Sequence, residues 1–327
     1  MEYFEFDGAG RMPALGLGTW KSEPGTVGDV IHEALRIGYR HIDCAPIYQN
    51  EHEIGDAFDT AFKNGDVARE DLWVTSKLWN SNHARQDVVP AIEKTLTDLK
   101  LDYLDLFLIH WPIAFRHGVA FPEGPADFVS LDQTPLAETW QGMEDAVEKG
   151  LCRAIGVSNF SSRKIGDLLA CATIKPIVNQ VEAHPFFPQR ELLSWCADHD
   201  IALTAYSPLG SGDRIPEFKQ DDEPEPLKHS VILDIARRRD LSAGQVLLAW
   251  AIQRGTSVIP KSSNPKRLRQ NFEAANVVLE DDDMRAIGQM ESGYRIIHGA
   301  FFADEASGYT VAKLWDETDQ EKAQVLD

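Results

Sequence analysis

Residues 72–110 read LWVTSKLWNSNHARQDVVPAIEKTLTDLKLDYLDLFLIH, and the fold can be inferred from this stretch. Two short apolar runs, LWVTSKL (72–78) and YLDLFLIH (103–110), flank QDVVPAIEKTLTDLKL (86–101), in which apolar residues recur at helical spacing. Short runs that are apolar almost throughout are typical of parallel strands that are buried on both faces. A helix between two such strands predicts a parallel sheet covered by helices.

The same pair of strand and helix recurs on both sides of this stretch. The other runs that we interpret as strands are LGLGT (15–19), HIDCA (41–45), CRAIGVSN (152–159), PIVNQVEA (176–183), IALTAYSP (201–208) and SVIPKS (257–262). Helical periodicity follows each of them, with two helical stretches within 229–254 and the last one over 265–278. These eight units predict a (β/α)8 barrel, because their number and even spacing fit it better than a doubly wound open sheet.

Additions to the repeat are also predicted. A β-hairpin precedes the barrel, with strands in EYFEF and RMPAL around the turn DGAG. No linker rich in Pro, Gly or Ser divides the chain, so we expect a single domain over residues 1–327. The loop 112–135 and the tail 291–327 interrupt the rhythm. Because the loop follows the fourth strand, it is expected on the C-terminal face, where barrel enzymes keep their active sites.

Composition limits the class of protein. The chain has 52 Asp and Glu against 32 Lys and Arg, a net charge of −20, which argues against a nucleic-acid partner. Solubility is our interpretation of this acidity, and adaptation to a saline cytosol is the alternative. The chain contains no run of about 18 apolar residues, so it predicts no membrane span, and the N-terminus lacks a signal-peptide pattern. We therefore expect a cytoplasmic protein.

Cysteine and histidine spacing gives no metal motif. Cys44, Cys152, Cys171 and Cys196 form no CxxC pair, so reduced and mostly buried thiols are expected. The ten histidines form no HExxH motif and no short-spaced cluster, so no metal is expected.

Ionisable side chains stand at the C-terminal ends of three neighbouring predicted strands. Asp43 ends the second strand, Lys77 the third and His110 the fourth, and Tyr48 follows the second strand closely. A single residue of this kind is more often structural than catalytic, but the four together form a chemically coherent set. An ammonium group near a tyrosine lowers its pKa from about 10, and a carboxylate keeps a buried lysine charged. With the histidine directing a carbonyl oxygen, the set predicts protonation of an oxyanion, as in carbonyl reduction.

The eighth unit predicts an anion site. IPKSSNPKRLRQNF (259–272) places Lys261 at a strand end and Arg267 in the first turn of the next helix. Basic side chains beside a helix N-terminus suit phosphate, and barrels commonly bind phosphate after strands seven and eight. A solvated basic patch is the alternative. Other motifs are incomplete, since GLGTWK lacks the third glycine of GxGxxG and GVSNF lacks the last glycine of GxSxG.

Three stretches together resemble the signatures of the aldo-keto reductase family: GYRHIDCAPIYQNEHEIG (38–55), CRAIGVSNF (152–160) and IPKSSNPKRLRQNF (259–272). The resemblance covers nearly the whole chain and favours the branch of aldose, xylose and aldehyde reductases. It implies a catalytic tetrad of Asp43, Tyr48, Lys77 and His110, with Tyr48 as the proton donor. The implied reaction is NADPH-dependent reduction of an aldose or another aldehyde to the alcohol, with NADH as an alternative cofactor, by a protein that we expect to be monomeric.

The same resemblance assigns binding residues. The implied cofactor contacts are Thr19, Trp20, Asp43, Ser158, Asn159, Gln180, Tyr206, Ser207, Leu209, Ser211, Lys261, Ser262, Arg267 and Asn271. NADPH is expected because Lys261, Ser262 and Arg267 match contacts to the adenosine 2′-phosphate. The implied substrate contacts are Trp20, Tyr48, Trp79, His110 and Trp111. In the long loop, Arg116 and His117 would attract an acidic substrate, unless that loop is simply solvated.

Two other functions are compatible with these patterns. The family includes potassium-channel β-subunits, which keep the fold and the cofactor but act through a partner. A redox-sensing nucleotide-binding subunit is therefore the first alternative, and the complete tetrad argues against it. A non-redox barrel enzyme such as an isomerase is the second alternative, and it predicts no response to nicotinamide nucleotides. Residues 295–315 match no pattern that assigns them a role.

Overall fold

A computed structural model describes residues 2–22, 24–212, 214 and 223–317 of the chain. The strands in this part are β1 Tyr3–Phe6, β2 Gly10–Pro13, β3 Leu17–Gly18, β4 His41–Asp43, β5 Trp73–Leu78, β6 Leu104–Ile109, β7 Ala114–Phe115, β8 Phe128–Val129, β9 Cys152–Ser158, β10 Val178–Glu182, β11 Ala202–Tyr206 and β12 Thr256–Val258. The α-helices are α1 Val27–Ile37, α2 Glu51–Asn64, α3 Arg85–Leu99, α4 Leu136–Glu148, α5 Ser162–Leu169, α6 Arg190–Ala197, α7 Ser230–Arg239, α8 Ala243–Gln253, α9 Pro265–Glu273, α10 Asp281–Gly288 and α11 Val311–Trp315.

Eight parallel strands form one sheet in the order β3-β4-β5-β6-β9-β10-β11-β12. The two ends of this sheet meet, because Leu15 pairs with Val258 in a parallel bridge. The backbone N–H of Gly16 donates to the carbonyl of Val258 at 2.8 Å, and that of Gly18 donates to the carbonyl of Pro260 at 3.2 Å. These bonds close the sheet, so the predicted (β/α)8 barrel is confirmed.

The strands of the barrel are buried on both faces of their sheet. Strand residues such as Ile42, Val74 and Phe107 are fully buried, as expected for parallel strands under helices. The helices around the barrel turn apolar stripes to the strands, and Phe58 and Trp140 are among the largest side chains that this packing buries. The functional groups described below are therefore held by a rigid layer of strands.

The predicted N-terminal hairpin is confirmed. Strands β1 and β2 pair antiparallel, with Phe6 opposite Gly10. Ala9 and Met12 join the buried cluster of Trp73 and Val178, the first residues of β5 and β10. The hairpin thus covers the N-terminal end of the barrel, away from the strand ends that carry the candidate site.

The irregular segments contain more order than their sequence indicates. In the loop 112–135, β7 and β8 pair antiparallel, with Ala114 opposite Val129. The described part of the tail ends at 317 and includes the short helix α11. The helix predicted over 265–278 is shorter, because α9 ends at Glu273 and a 3-10 turn, Ala274–Asn276, follows it.

Three general features concern the described residues alone. No helix among them has the length and apolar character needed to cross a membrane. They contain no group of three or more His, Cys, Asp or Glu side chains that could hold a metal ion. All four cysteines are free thiols, and three of them are buried as predicted, whereas Cys171 is exposed.

Candidate active site

The C-terminal ends of β4 and β5 hold a buried ion pair. Lys77 Nζ lies 2.5 Å from Asp43 Oδ1, and the two side chains are 1% and 2% exposed. The same ammonium group donates to the carbonyl of Cys44 at 2.9 Å and to the hydroxyl of Tyr48 at 3.3 Å. All three donor positions of the lysine therefore have partners, and one of these partners is the tyrosine hydroxyl.

A tight turn after β4 carries Tyr48 back over the strand ends. Pro46–Tyr48 forms a 3-10 turn, and Gln49 then adopts the left-handed conformation with φ 57°. The neighbouring Asn50 fixes this turn, because its Nδ2 donates to the carbonyl of Thr19 at 3.0 Å. The His110 ring meets the Tyr48 ring edge to face, with centroids 6.0 Å apart. The structure therefore brings together the four residues that the sequence selected.

Burial and charge set the protonation states of this group. Burial raises the pKa of Tyr48 to about 12, and the charge of Lys77 opposes the rise without reversing it. Burial alone would lower the pKa of Lys77, but Asp43 and Tyr48 outweigh burial and hold that pKa above its ordinary value. Burial and the charge of Lys77 hold the pKa of His110 well below its usual range. Near neutral pH the lysine is charged, the tyrosine keeps its proton and the histidine is neutral.

The tyrosine pKa differs in direction from the sequence-based expectation. A nearby lysine was expected to lower the pKa below about 10, yet the pKa of Tyr48 lies near 12 because burial outweighs the charge of Lys77. The sequence places the lysine near the tyrosine, but it does not show that desolvation of the phenol outweighs the charge of Lys77.

Four residues predicted to contact a nicotinamide form one hydrogen-bonded network on β9, β10 and β11. Ser158 donates to the carbonyl of Gln180 at 2.7 Å, and Asn159 donates to the carbonyl of His110 at 2.9 Å. The Tyr206 hydroxyl donates to Asn159 Oδ1 at 2.8 Å. Gln180 Nε2 donates to Asp43 Oδ2 at 2.7 Å, so the network reaches the ion pair directly.

Two other predicted cofactor contacts, Thr19 and Trp20, follow β3, and the Thr19 hydroxyl donates to the carbonyl of Asp43 at 2.8 Å. The loop after β11 and the segment after β12 hold the remaining seven. Ser207 begins the loop with a positive φ of 49°, and Leu209 packs against the core. Lys21 Nζ donates to Ser211 Oγ at 3.1 Å, which joins the loop after β3 to the loop after β11.

The basic segment after β12 has an ordered start. Asn264 caps α9, since its side chain accepts from the backbone N–H of Arg267 at 3.1 Å. The Arg267 side chain is exposed, whereas Ser262 and Asn271 are buried. Lys261 is half-buried and lies three residues after β12, so it is not at the strand end where the sequence placed it. The exposed guanidinium group is thus available at the N-terminal end of a helix.

Aromatic side chains line the mouth above His110. The Trp79 ring lies 5.2 Å from the His110 ring, and Trp20, which is 41% exposed, lies 6.3 Å from the Tyr48 ring. Trp111 is buried and packs edge to face on Phe302 at 5.4 Å. The predicted substrate residues therefore border one site, although Trp111 is covered by the tail.

The long loop and the tail meet over this mouth. Tyr309 of the tail donates to the carbonyl of Val129 at 2.7 Å and accepts from the backbone N–H of Ala114 at 3.1 Å. Phe121 of the loop lies 5.5 Å from Trp79 and 6.3 Å from Phe302. The two irregular segments of the sequence thus form one aromatic wall.

Two basic residues of the loop pair with acids of the protein. Arg116 Nη2 lies 3.0 Å from Asp127 Oδ1, and His117 Nδ1 lies 3.3 Å from Asp87 Oδ2. Both side chains are mostly exposed, at 62% and 69%. These contacts favour the solvated-loop interpretation over a role in attracting an acidic substrate.

Sequence reasoning missed the residue that anchors the tail. The buried Glu182, at the end of β10, accepts from the backbone N–H groups of Ile296 and Ile297, each at 2.6 Å. It also contacts His184 Nε2 at 2.8 Å. A charged residue two positions after Gln180 on a buried strand was the available signal, because alternate residues of a strand share a face.

Comparisons with known proteins were consistent with one another. The model of the Aldo/keto reductase family matches residues 14–292. An aldo/keto reductase of Synechocystis sp. is 52% identical over 317 residues, which is 97% of each chain. Aldo-keto reductase family 1 member A1 of Gallus gallus is 49% identical over 289 residues, 88% of each chain. The solved structure of the aldose reductase from Schistosoma japonicum superimposes with a TM-score of 0.85 at 38% identity, over 95% of this chain and 97% of that one. The chain belongs to the aldo/keto reductase family, and it is an oxidoreductase with the (β/α)8 fold.

Proposed function

We propose that this protein reduces an aldehyde to the alcohol with NADPH, and that Tyr48 supplies the proton. The observation that carries the proposal is the contact of the Tyr48 hydroxyl with a buried ammonium group, at 3.3 Å from Lys77 Nζ. Asp43 holds that ammonium group in place on its other side. Membership of an oxidoreductase family makes carbonyl reduction the natural use of this arrangement.

The residues of the chain then have separate tasks. Tyr48 keeps its proton near neutral pH because burial raises its pKa, so it is suited to donate rather than to accept. Lys77 stabilises the tyrosinate that remains after the donation. His110 is neutral, and its ring lies beside that of Tyr48, where a neutral imidazole can donate a hydrogen bond to a carbonyl oxygen.

The donor set at the strand ends fits a nicotinamide nucleotide. Ser158, Asn159 and Gln180 present hydroxyl and amide groups that suit a carboxamide, and Tyr206 presents an aromatic face. When bound, this cofactor supplies the hydride for the carbonyl carbon. Lys261, Ser262 and Arg267 would hold the 2′-phosphate, because they join basic charge with the N-terminus of α9 in a protein of net charge −20.

The proposed substrate is an aldose, a related sugar aldehyde or another aldehyde. Support comes from the aromatic mouth of Trp20, Trp79 and Phe121, which suits an uncharged molecule. A structural relative is named an aldose reductase, which is consistent with a sugar aldehyde. We further propose that the protein acts as a cytoplasmic monomer.

The test measures NADPH consumption with a panel of aldoses, aldose phosphates, uronates and aromatic aldehydes. Tyr48→Phe is expected to lower kcat by about 10²- to 10⁴-fold, the usual contribution of a proton donor. NADPH affinity, followed by quenching of tryptophan fluorescence, should change little. Tyr3→Phe, on the exposed hairpin, is the matched control and should behave as wild type.

Three results would contradict the proposal in different ways. Full activity of Tyr48→Phe would exclude this tyrosine as the proton donor. Tight NADPH binding without turnover on any aldehyde would favour the redox-sensing subunit. Absence of any response to nicotinamide nucleotides would favour a non-redox barrel enzyme.

A further inference from the structure

Glu51 is a buried acid that none of the roles above uses. It is the first residue of α2, three positions after Tyr48, and is 3% exposed. Ser76 Oγ of β5 donates to its Oε1 at 2.6 Å, and Thr95 Oγ1 of α3 donates to its Oε2 at 3.3 Å. One carboxyl group therefore connects α2, β5 and α3.

The bond to Ser76 acts on the strand that carries Lys77. Neighbouring residues of a strand point to opposite faces, so Lys77 faces the barrel interior and Ser76 faces the helices. The segment from Tyr48 to Glu51 is consequently joined to β5 at two points. Tyr48 contacts Lys77 on the inner face, and Glu51 contacts Ser76 on the outer face.

Close packing of α2 on α3 supports this connection. Gly55 lies one helical turn after Glu51, and a Cβ atom at that position would lie 2.1 Å from the carbonyl oxygen of Asp98. Only a residue without a side chain permits this approach. It brings the first turn of α2 within reach of Thr95.

We propose that Glu51 is a positioning residue for the proton donor: by tying the first turn of α2 to β5, it holds the Tyr48 hydroxyl against Lys77. The inference rests on the proposed role of Tyr48. A displacement of the hydroxyl by about 1 Å is enough to cost roughly 100-fold in rate. The position of this turn therefore matters for catalysis as well as for stability.

The surroundings of Glu51 make the connection dependent on pH. Burial raises the pKa of Glu51 to about 7, and Asp98 of α3 adds to the rise, while Ser76, Thr95 and Lys77 oppose it. The other titratable groups nearby are Asp43, which ends β4, and Cys44, which follows it. Burial and the charge of Glu51 raise the pKa of Cys44. On α2 itself, Glu53 contacts the backbone N–H of Gly25, and His52 is exposed.

Ionisation has opposite effects on the connection and on stability. As a carboxylate, Glu51 accepts charge-assisted hydrogen bonds from both hydroxyl groups. Once protonated, it donates to one hydroxyl group and accepts from the other, and both of these neutral bonds are weaker. Because the folded-state pKa of about 7 lies above the ordinary carboxyl value, the folded protein loses stability as pH rises through about 4.5 to 7. When Glu51 is ionised, Tyr48 is therefore better positioned, but the folded protein is less stable.

The decisive variant is Glu51→Gln, which keeps the shape and cannot ionise. We expect kcat of the wild type to rise as pH increases through about 7 and kcat of Glu51→Gln to stay at the low-pH value. KM and NADPH affinity should be unchanged. At pH 8, Glu51→Gln should be at least as stable as the wild type in denaturant. If Glu51 served stability alone, Glu51→Gln would instead lower kcat and the free energy of unfolding together.

Companion variants sharpen the test. Ser76→Ala should lower kcat to a similar extent, and Glu51→Gln/Ser76→Ala should be no worse than either single variant. Asp56→Asn, an exposed acid of the same helix, is the control and should keep the wild-type pH profile. In the protein without bound nucleotide, the infrared band of protonated carboxyl groups should contain a component that titrates near pH 7. That component should be missing in Glu51→Gln.

A wild-type kcat and pH profile in Glu51→Gln would overturn the inference, and so would a loss of kcat that follows a loss of stability. Failure of the proposed function looks different. In that case Tyr48→Phe keeps full activity, whatever Glu51→Gln does. If Tyr48→Phe is inactive and Glu51→Gln behaves as wild type, only the role of Glu51 is wrong.

Discussion

At the scale of single residues, Lys77 shows how burial and function depend on one another. Its ammonium group is almost without contact with solvent and is stabilised by Asp43, whose second oxygen accepts from Gln180. A buried charge of this kind contributes little stability by itself, but loss of one partner leaves the other uncompensated. Replacing either Asp43 or Lys77 alone should therefore cost more stability than the intact pair contributes.

We expect Lys77→Met to lower the free energy of unfolding by about 3–5 kcal/mol, because Asp43 is left as an unpaired buried charge. The double variant Asp43→Asn/Lys77→Met should recover part of this stability and none of the reductase activity. Lys63→Met is the control, since Lys63 pairs with Asp59 on the surface and is 73% exposed. Denaturant titration measures the free energy of unfolding of each variant. Equal losses for Lys77→Met and Lys63→Met would show that losing one partner of the buried pair costs no more than losing one partner of a surface pair.

Arg267 offers a second prediction at this scale. Arg267→Ala should weaken NADPH binding by about 10- to 100-fold, the range of a hydrogen bond to a charged group, and should leave NADH binding nearly unchanged. Arg269→Ala, an exposed arginine on the same helix, is the control. Fluorescence titration with both nucleotides gives the affinities. Equal losses for NADPH and NADH would place the recognition of the 2′-phosphate elsewhere.

The sequence could predict the three strand-end residues because their positions follow from the alternation of strands and helices. Asp43, Lys77 and His110 all end buried strands, and such ends meet on one face of a barrel. It could not predict Glu51 as part of the site, because its link to Ser76 depends on how closely α2 approaches β5. The expected direction of the Tyr48 pKa was also wrong, because that pKa depends on how strongly the folded chain desolvates the phenol.

At the scale of elements, the described part of the tail, residues 291–317, is ordered mainly by its contacts with the rest of the protein. Its helix α11 has five residues, too few for a stable isolated helix. Trp315 and Leu314 pack instead into the cluster of Trp79 and Trp111. The sequence of the tail shows no pattern that predicts this structure, because the structure depends on packing against residues that are distant in the chain.

Glu182→Ala should release the start of the tail, because two backbone N–H groups lose their acceptor. Hydrogen exchange at Ile296 and Ile297 should accelerate, and KM for aldehydes should rise more than NADPH affinity falls. Glu305→Ala, an exposed acid of the tail, is the control. Unchanged exchange at both amides would mean that other contacts hold the tail.

At the scale of the whole molecule, the closed barrel makes distant segments depend on one another. Strands β3 and β12, the first and last of the barrel, are separated by most of the chain, yet they meet through Gly16, Gly18 and Val258. The count of eight units predicted this closure, whereas an open sheet would leave two free edges. That the chain unfolds as one domain remains a prediction.

Gly18→Ala tests both the closure and the unity of the chain. A Cβ atom at this position would lie 2.7 Å from the carbonyl oxygen of Ile259, so the seam between β3 and β12 must widen. We expect a loss of about 1–3 kcal/mol, as for other overpacked positions. If the chain is a single cooperative domain, far-ultraviolet circular dichroism and tryptophan fluorescence should shift together in one transition. Gly124→Ala is the control, because nothing lies within 4 Å of an added Cβ atom there. Two separated transitions in Gly18→Ala would show that the barrel does not unfold as one unit, since only part of the chain would then respond to the opened seam.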